Sequence, residues 1–154
     1  MEERAWTVYL AGEIHTNWRK LLTDATIEAD LPVDYNTPVL DHSASDECGV
    51  AILGEESNDF WKDHKAAKLN AIRNRTLMQE ADLVIVHFGD KYRQWNAAFD
   101  AGLAVANEKP LITLHEPALN HALKEIDGAA LAVANTIEQV IQILRYVIDG
   151  TVPR

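Results

Sequence analysis

Asp100 stands early in a helix of small residues within the segment ADLVIVHFGDKYRQWNAAFDAGLAVANEKPLITL, which runs from Ala81 to Leu114 between two apolar strand-like runs. Within about two turns of a helix start, the partial positive charge of the helix favours an ionised acid. A carboxylate kept charged and partly desolvated can attack an electrophilic sugar carbon. The plainer alternative is an acid that complements the helix dipole and faces solvent. Ala97, Ala98, Ala101, Gly102 and Ala104 let the helix lie close to a sheet, which brings Asp100 toward the crevice floor. Gly12 ends the first apolar run and lets the backbone approach a ligand, or simply makes a strand-to-helix turn. Glu13 and His15 follow it, while His87 and His115 end later strands beside Asp90 and Glu116. These histidines and acids are either rim residues satisfied by the protein or metal ligands. No pair has i, i+4 or another ligand spacing, so no metal site is expected. Trp18, Tyr92 and Trp95 could each stack on a nucleobase or pack a loop against the body.

Elements able to position these groups can be read from hydrophobic periodicity. Strands are expected at Trp6–Ala11, Pro32–Tyr35, Leu83–Phe88, Leu111–Leu114 and Ala130–Ala134. Helices are expected at Trp18–Ala29, Lys65–Glu80, Gln94–Asn107 and Thr136–Ile148, with a short one over Pro117–Asp127. Thr136 and Gln139 form a capping-box pattern at the start of the last helix. Alternating strands and helices require right-handed crossovers and a parallel sheet covered on both faces. The expected fold is α/β: a flavodoxin-like three-layer sandwich on a five-stranded parallel sheet of order 2-1-3-4-5. In such sheets ligands bind at the carboxyl ends of the strands, where the winding reverses. Here that point falls between the loop Gly12–Asn17 and the loop Gly89–Trp95. Residues 1–154 read as a single domain, with a lid or insertion over 41–63, where no sustained period is visible.

Composition narrows the classes of partner. With 154 residues, 47% apolar and 25% charged, the chain is an ordinary globular one, long enough for a real core. A net charge of −10 argues against nucleic-acid polymers and anionic membranes, both of which need a basic face. No apolar run approaches the roughly 20 residues of a membrane span. The start, MEERAWTVYLAG, is acidic with a short apolar run and does not read as a signal peptide. One cysteine, Cys48, excludes an internal disulfide and a cysteine zinc cluster and suits a reducing cytoplasm. GEIHTNW has neither the GxGxxG fingerprint nor the GxxxxGK[ST] phosphate loop. It also lacks the hydroxyl-rich loop of a flavodoxin, and the acid pair and lysine of a phospho-receiver domain are missing.

Two segments, VYLAGEIHTNWR and NAIRNRTLMQEADLVIVHFGDKYRQWNAAFDAGLAVANEKPLI, resemble the nucleoside 2-deoxyribosyltransferase family, and within it the YtoQ-like branch. The resemblance spans nearly the whole chain. It implies cleavage and exchange of the base on a 2-deoxyribonucleoside through a covalent glycosyl-carboxylate intermediate, without a cofactor. The family's nucleophile stands in the pattern acid-x-G-x-A, matched by Asp100-Ala101-Gly102-Leu103-Ala104, where relatives usually carry Glu. Asn74 takes the place of a sugar-holding Asp, and Gln94 that of a further acid. The resemblance makes Asn74 and Asn96 sugar contacts and places Gly12, Glu13, His15, Asp90 and Trp95 along the pocket. Asp90 and Glu13 are positional candidates for protonating the departing base. Partners implied are a nucleoside or nucleotide, a free nucleobase and, because relatives complete the pocket with a neighbouring subunit, further copies in a homo-oligomer. Two other readings stay open: an N-glycoside hydrolase, with water capturing the same ester, and a catalytically silent nucleoside- or nucleotide-binding module.

Overall fold

The computed structural model describes residues 4–91 and 94–154, so Tyr92 lies outside the described residues. Five strands, β1 (Trp6–Gly12), β2 (Val33–Asn36), β3 (Leu83–His87), β4 (Leu111–Leu114) and β5 (Ala132–Ala134), form one sheet in the order β2-β1-β3-β4-β5. Every neighbouring pair is parallel. The helices are α1 (Trp18–Glu28), α2 (His42–Leu53), α3 (Asp59–Glu80), α4 (Trp95–Ala106), α5 (Lys124–Ala129) and α6 (Ile137–Asp149). This is the flavodoxin-like α/β architecture, with the order 2-1-3-4-5 expected from the sequence. The connection from β2 returns past β1 to β3, so the winding reverses between β1 and β3.

Strands buried on both faces read as continuous apolar runs rather than alternating ones. Val8, Leu10, Leu83, Ile85, Ile112 and Leu114 join Trp18 and Leu22 of α1 and Val140 and Leu144 of α6 in one core cluster. Their neighbours along the strands, Tyr9, Ala11, Val84, Val86 and Leu111, are buried too, on the opposite face by the two-residue period of a strand. Against that face α4 crosses β1, β3 and β4. Its buried residues are Ala97, Ala101 and Ala104, whose i, i+4, i+7 spacing makes a narrow stripe of small side chains. Asp100, three residues after Ala97 and four before Ala104, belongs to that sheet-facing stripe.

Compact packing divides the chain into two units, Thr37–Glu80 and the remainder, which carries the whole sheet. The segment after Asp41, read from sequence as a loop, is mostly helix: α2 covers His42–Leu53 and α3 begins at Asp59. Asp41 caps α2 by accepting the Ala44 N–H at 2.8 Å. Only Gly49 and Val50 of α2 are buried, so the helix has no apolar stripe to betray its period. Toward the C-terminus, the expected helix over Pro117–Asp127 resolves into a 3-10 turn, Pro117–Leu119, and the short α5. At α6, Thr136 Oγ1 accepts the Gln139 N–H as expected, but the Gln139 amide oxygen accepts from Asn135 N rather than from the cap residue. Among the described residues no helix is long and apolar enough to cross a membrane.

Candidate active site

The carboxyl ends of β1 and β3 meet at Gly12 and His87, which are register partners. The chain leaves β1 through a left-handed Gly12 (φ 103°), and a Cβ there would lie 2.1 Å from the His87 carbonyl oxygen. Only glycine fits this approach, which lets Glu13 N donate to the same carbonyl at 3.0 Å. One step further, a Cβ on Gly89 would lie 2.5 Å from Glu13 Cγ, so the loops after β1 and β3 are pressed together.

Glu13 organises the first loop. It is 3% exposed, and its carboxylate accepts the backbone N–H of His15, the backbone N–H of Thr16 at 2.9 Å and the Thr16 hydroxyl at 2.5 Å. Burial pushes its carboxyl up, but the Thr16 and His15 hydrogen bonds more than reverse that and leave it below its ordinary value. Glu13 is therefore anionic at neutral pH, and of the two positional candidates it cannot be the acid that protonates a departing base. Its main-chain carbonyl accepts from Trp18 Nε1 at 2.7 Å and from Arg19 at 2.6 Å.

Arg19 closes the VYLAGEIHTNWR segment, where neither its type nor its spacing signals a role. The structure buries it to 7% exposure, with donors on the carbonyls of Leu10, Gly12 and Glu13 and its guanidinium 4.7 Å from the Trp18 ring centroid. Burial pulls the guanidinium down to about 10, while the charges of Glu13 and Asp100 and the Tyr9 hydroxyl hold it up. Asp100 feels the same pairing from the other side. Burial raises its carboxyl to about 6, and Arg19 opposes the rise. The acid is neither a freely solvated helix residue nor a neutral one at pH 7: it is ionised and poorly solvated, a state suited to nucleophilic attack.

A cavity of about 130 Å³ opens at the same end of the sheet, lined by Glu13, Thr16, His87, Gly89, Asp90 and Glu116 among others. Asp100 is outside this lining, and Arg19 is the group that acts electrically on both Asp100 and His87. Of the residues proposed from sequence, Gly12, Glu13 and Asp90 gather here, with His15 exposed on the same loop. Trp95 and Asn96 open α4 and are exposed. Asn74 sits on α3 in the other unit, its Oδ1 buried without a hydrogen-bond partner among the described residues. His87, read from sequence as a rim residue or ligand, lines the cavity, and Thr16 of the Gly12–Asn17 loop joins it on structural grounds alone.

The rim histidines separate in role. His115 is 1% exposed, its Nε2 2.8 Å from Asp127 Oδ2 and its Nδ1 2.8 Å from the Glu116 carbonyl. Thr113 donates to Asp127 at 2.8 Å, and Asn135 Nδ2 donates to the His115 carbonyl at 2.8 Å. This network fastens β4 to α5 and β5 rather than offering ligands to a metal. Among the described residues no cluster of three His, Cys, Asp or Glu is arranged to hold an ion. Asp127→Ala should strand the buried ring and the Thr113 hydroxyl, lowering stability by about 2–4 kcal/mol in a urea titration with an unchanged slope.

Comparison with known proteins agrees with this architecture. The family model described as nucleoside 2-deoxyribosyltransferase YtoQ matches residues 9–148. The uncharacterized protein YtoQ of Bacillus subtilis (strain 168) is 43% identical over 142 residues, covering 92% of this chain and 96% of that one. A conserved protein from Enterococcus faecalis V583 superposes with a TM-score of 0.64 at 13% identity, over 93% of this chain and 99% of its own. The 2-deoxyribosyltransferase of Bacillus psychrosaccharolyticus gives a TM-score of 0.54 at 17% identity, over 88% and 90% of the two chains. The structural likenesses speak for the fold, and the match from Tyr9 to Ile148 settles the lineage: the chain belongs to the nucleoside 2-deoxyribosyltransferase YtoQ family.

Proposed function

We propose that this protein cleaves the N-glycosidic bond of 2-deoxyribonucleosides and transfers the sugar to a second base, with Asp100 as the nucleophile. What supports the reading is the place of Asp100 on the sheet-facing stripe of α4, where burial raises its carboxyl to about 6 and the buried Arg19 opposes the rise. Family membership supports the substrate class. In the first half-reaction an Asp100 oxygen forms a bond to C1′ as the C1′–N bond breaks, and that electron pair leaves with the base. In the second, an incoming base attacks C1′ and returns Asp100 to its carboxylate. Two inversions give net retention, the logic of retaining glycosidases. Gly12, Glu13, His15, Asp90, Trp95 and Asn96 line the substrate path on this reading. Glu13 acts by fixing the loop, Asp90 by facing the cavity, and Trp95 by offering an aromatic face. On this reading the protein works in a reducing cytoplasm, as its single cysteine suits, and as a homo-oligomer, as the family resemblance implies.

The test is to incubate purified protein with deoxyinosine and adenine and separate the products by chromatography. New deoxyadenosine with inosine's base, hypoxanthine, supports transfer. Hypoxanthine without deoxyadenosine moves the reading to hydrolysis, and binding with no reaction moves it to a silent nucleoside-binding module.

A further inference from the structure

Among the described residues, His87 lines the mouth of the sheet with a buried ring nitrogen, Nδ1, that has no hydrogen-bond partner. The ring lines the cavity together with Asp90 and Glu116. The ring is held edge-on to Trp18, centroids 4.9 Å apart and planes at 60°. A buried lone pair left unpaired costs less than a buried N–H left unpaired, so we assign the proton of the neutral ring to Nε2. That nitrogen is the one left for an occupant of the cavity. At about 130 Å³ the space is close to a cavity of about 150 Å³ that holds a benzene ring. One six-membered ring of a nucleobase fits it.

We propose that His87, as a neutral imidazole, donates an Nε2–H hydrogen bond to an acceptor atom of the base and so stabilises the charge that base takes on as it leaves C1′. The proposal rests on the reading of Asp100 as nucleophile and assigns the leaving-group side of that reaction. The balance is simple. As the Asp100–C1′ bond forms and the C1′–N bond breaks, negative charge develops on the departing base. His87 keeps its proton and shares it, and water later protonates the free base.

The groups that act electrically on His87 agree with a neutral ring. Burial pulls it below its ordinary value, the Arg19 cation on α1 and His115 on β4 add to the fall, and Glu13 and Asp90 on the two flanking loops oppose it. The buried Arg19 cation acts electrostatically on both His87 and Asp100. Two other donors line the cavity: the Thr16 hydroxyl, which is given to Glu13, and Lys91, an exposed side chain on the loop after β3. Glu13 is anionic and fully engaged, and Asp90 and Glu116 are exposed carboxylates that would repel a departing anion.

His87→Phe keeps an aromatic edge against Trp18 and removes the donor. It is expected to lower kcat/KM for base release from deoxyinosine by about 100-fold or more, the usual loss of a single preorganised donor. With 7-methyl-2′-deoxyguanosine, whose cationic base leaves without gaining negative charge, the loss should be under about threefold, since no developing charge needs the donor. His87→Gln, which restores an N–H, should recover part of the deoxyinosine rate. Equal losses on both nucleosides, or none on either, would overturn the proposal. A nitrogen-15 spectrum of the imidazoles, titrated with free adenine, gives a readout that needs no turnover. Perturbation of a protonated His87 Nε2 supports the contact, and an unchanged His87 signal at saturating adenine rejects it. A wild-type protein that breaks no glycosidic bond would instead count against the nucleophile reading, leaving the adenine titration to judge His87 by itself.

Discussion

Replacing Asp100 with Asn should remove base exchange and make the protein more stable at the same time. Loss of a covalent nucleophile is expected to lower kcat by about 1,000-fold or more, because Asp100 is the group that forms the glycosyl ester on this reading. The stability gain follows from the raised carboxyl. A group whose folded value, about 6, lies above its ordinary 3.8 is penalised for being charged. The penalty is absent at low pH, grows as pH rises through the interval between those two values, and is complete above about 6. With each unit worth about 1.4 kcal/mol, the Asn variant should gain on the order of 1–3 kcal/mol at pH 8 and nothing at pH 3. Urea midpoints of both proteins at the two pH values check this. A variant that is inactive but no more stable at pH 8 would show an acid that was never desolvated. The same carboxyl sets a rate signature in wild type: kcat/KM should fall below about pH 6, as protonation removes the nucleophile.

Gly12→Ala is expected to cost about 3–5 kcal/mol, a large share of the roughly 5–15 kcal/mol that holds an ordinary domain folded. Two effects combine. A side chain at φ 103° is strained, and its Cβ would sit 2.1 Å from the His87 carbonyl oxygen. That neighbour is backbone of a central strand and cannot swing aside as a flexible side chain would. Relief requires β1 and β3 to part at the end where Glu13 N meets the same carbonyl. The measurement is a lowered urea midpoint, with nucleoside binding lost in whatever fraction stays folded. Ala at Gly54, whose φ is also positive but which has nothing within 4 Å of its Cβ, serves as the comparison. It should cost only the conformational strain.

The architecture was legible because the sheet is central and parallel. WTVYLA, LVIVH and LITL are largely apolar rather than alternating because both of their faces are covered, and that leaves a mark in a window of a few residues. The alanines of α4 marked close packing for the same reason, and Asp100 stood out as the single acid among them. Where burial is thin, the reading failed. Residues 42–53 form a helix whose start depends on one cap at Asp41 and whose buried residues are only Gly49 and Val50, so no period could be seen.

Local chemistry was thus written in the chain: strand order from the alternation of elements, a candidate nucleophile from an acid in a helix of small residues, and a turn at Gly12 from its place after β1. What only the folded molecule decided are pairings across long separations. Asp127 closes on His115 twelve residues away, His87 comes to rest against Trp18, and Arg19 is drawn in over the end of β1, where it balances Asp100. Burial is a property of the assembled layers and not of any segment. The same arginine or carboxylate in an open helix would be solvated and inert, and only the closing of α1 and α4 onto the sheet gives each the charge environment that the chemistry uses.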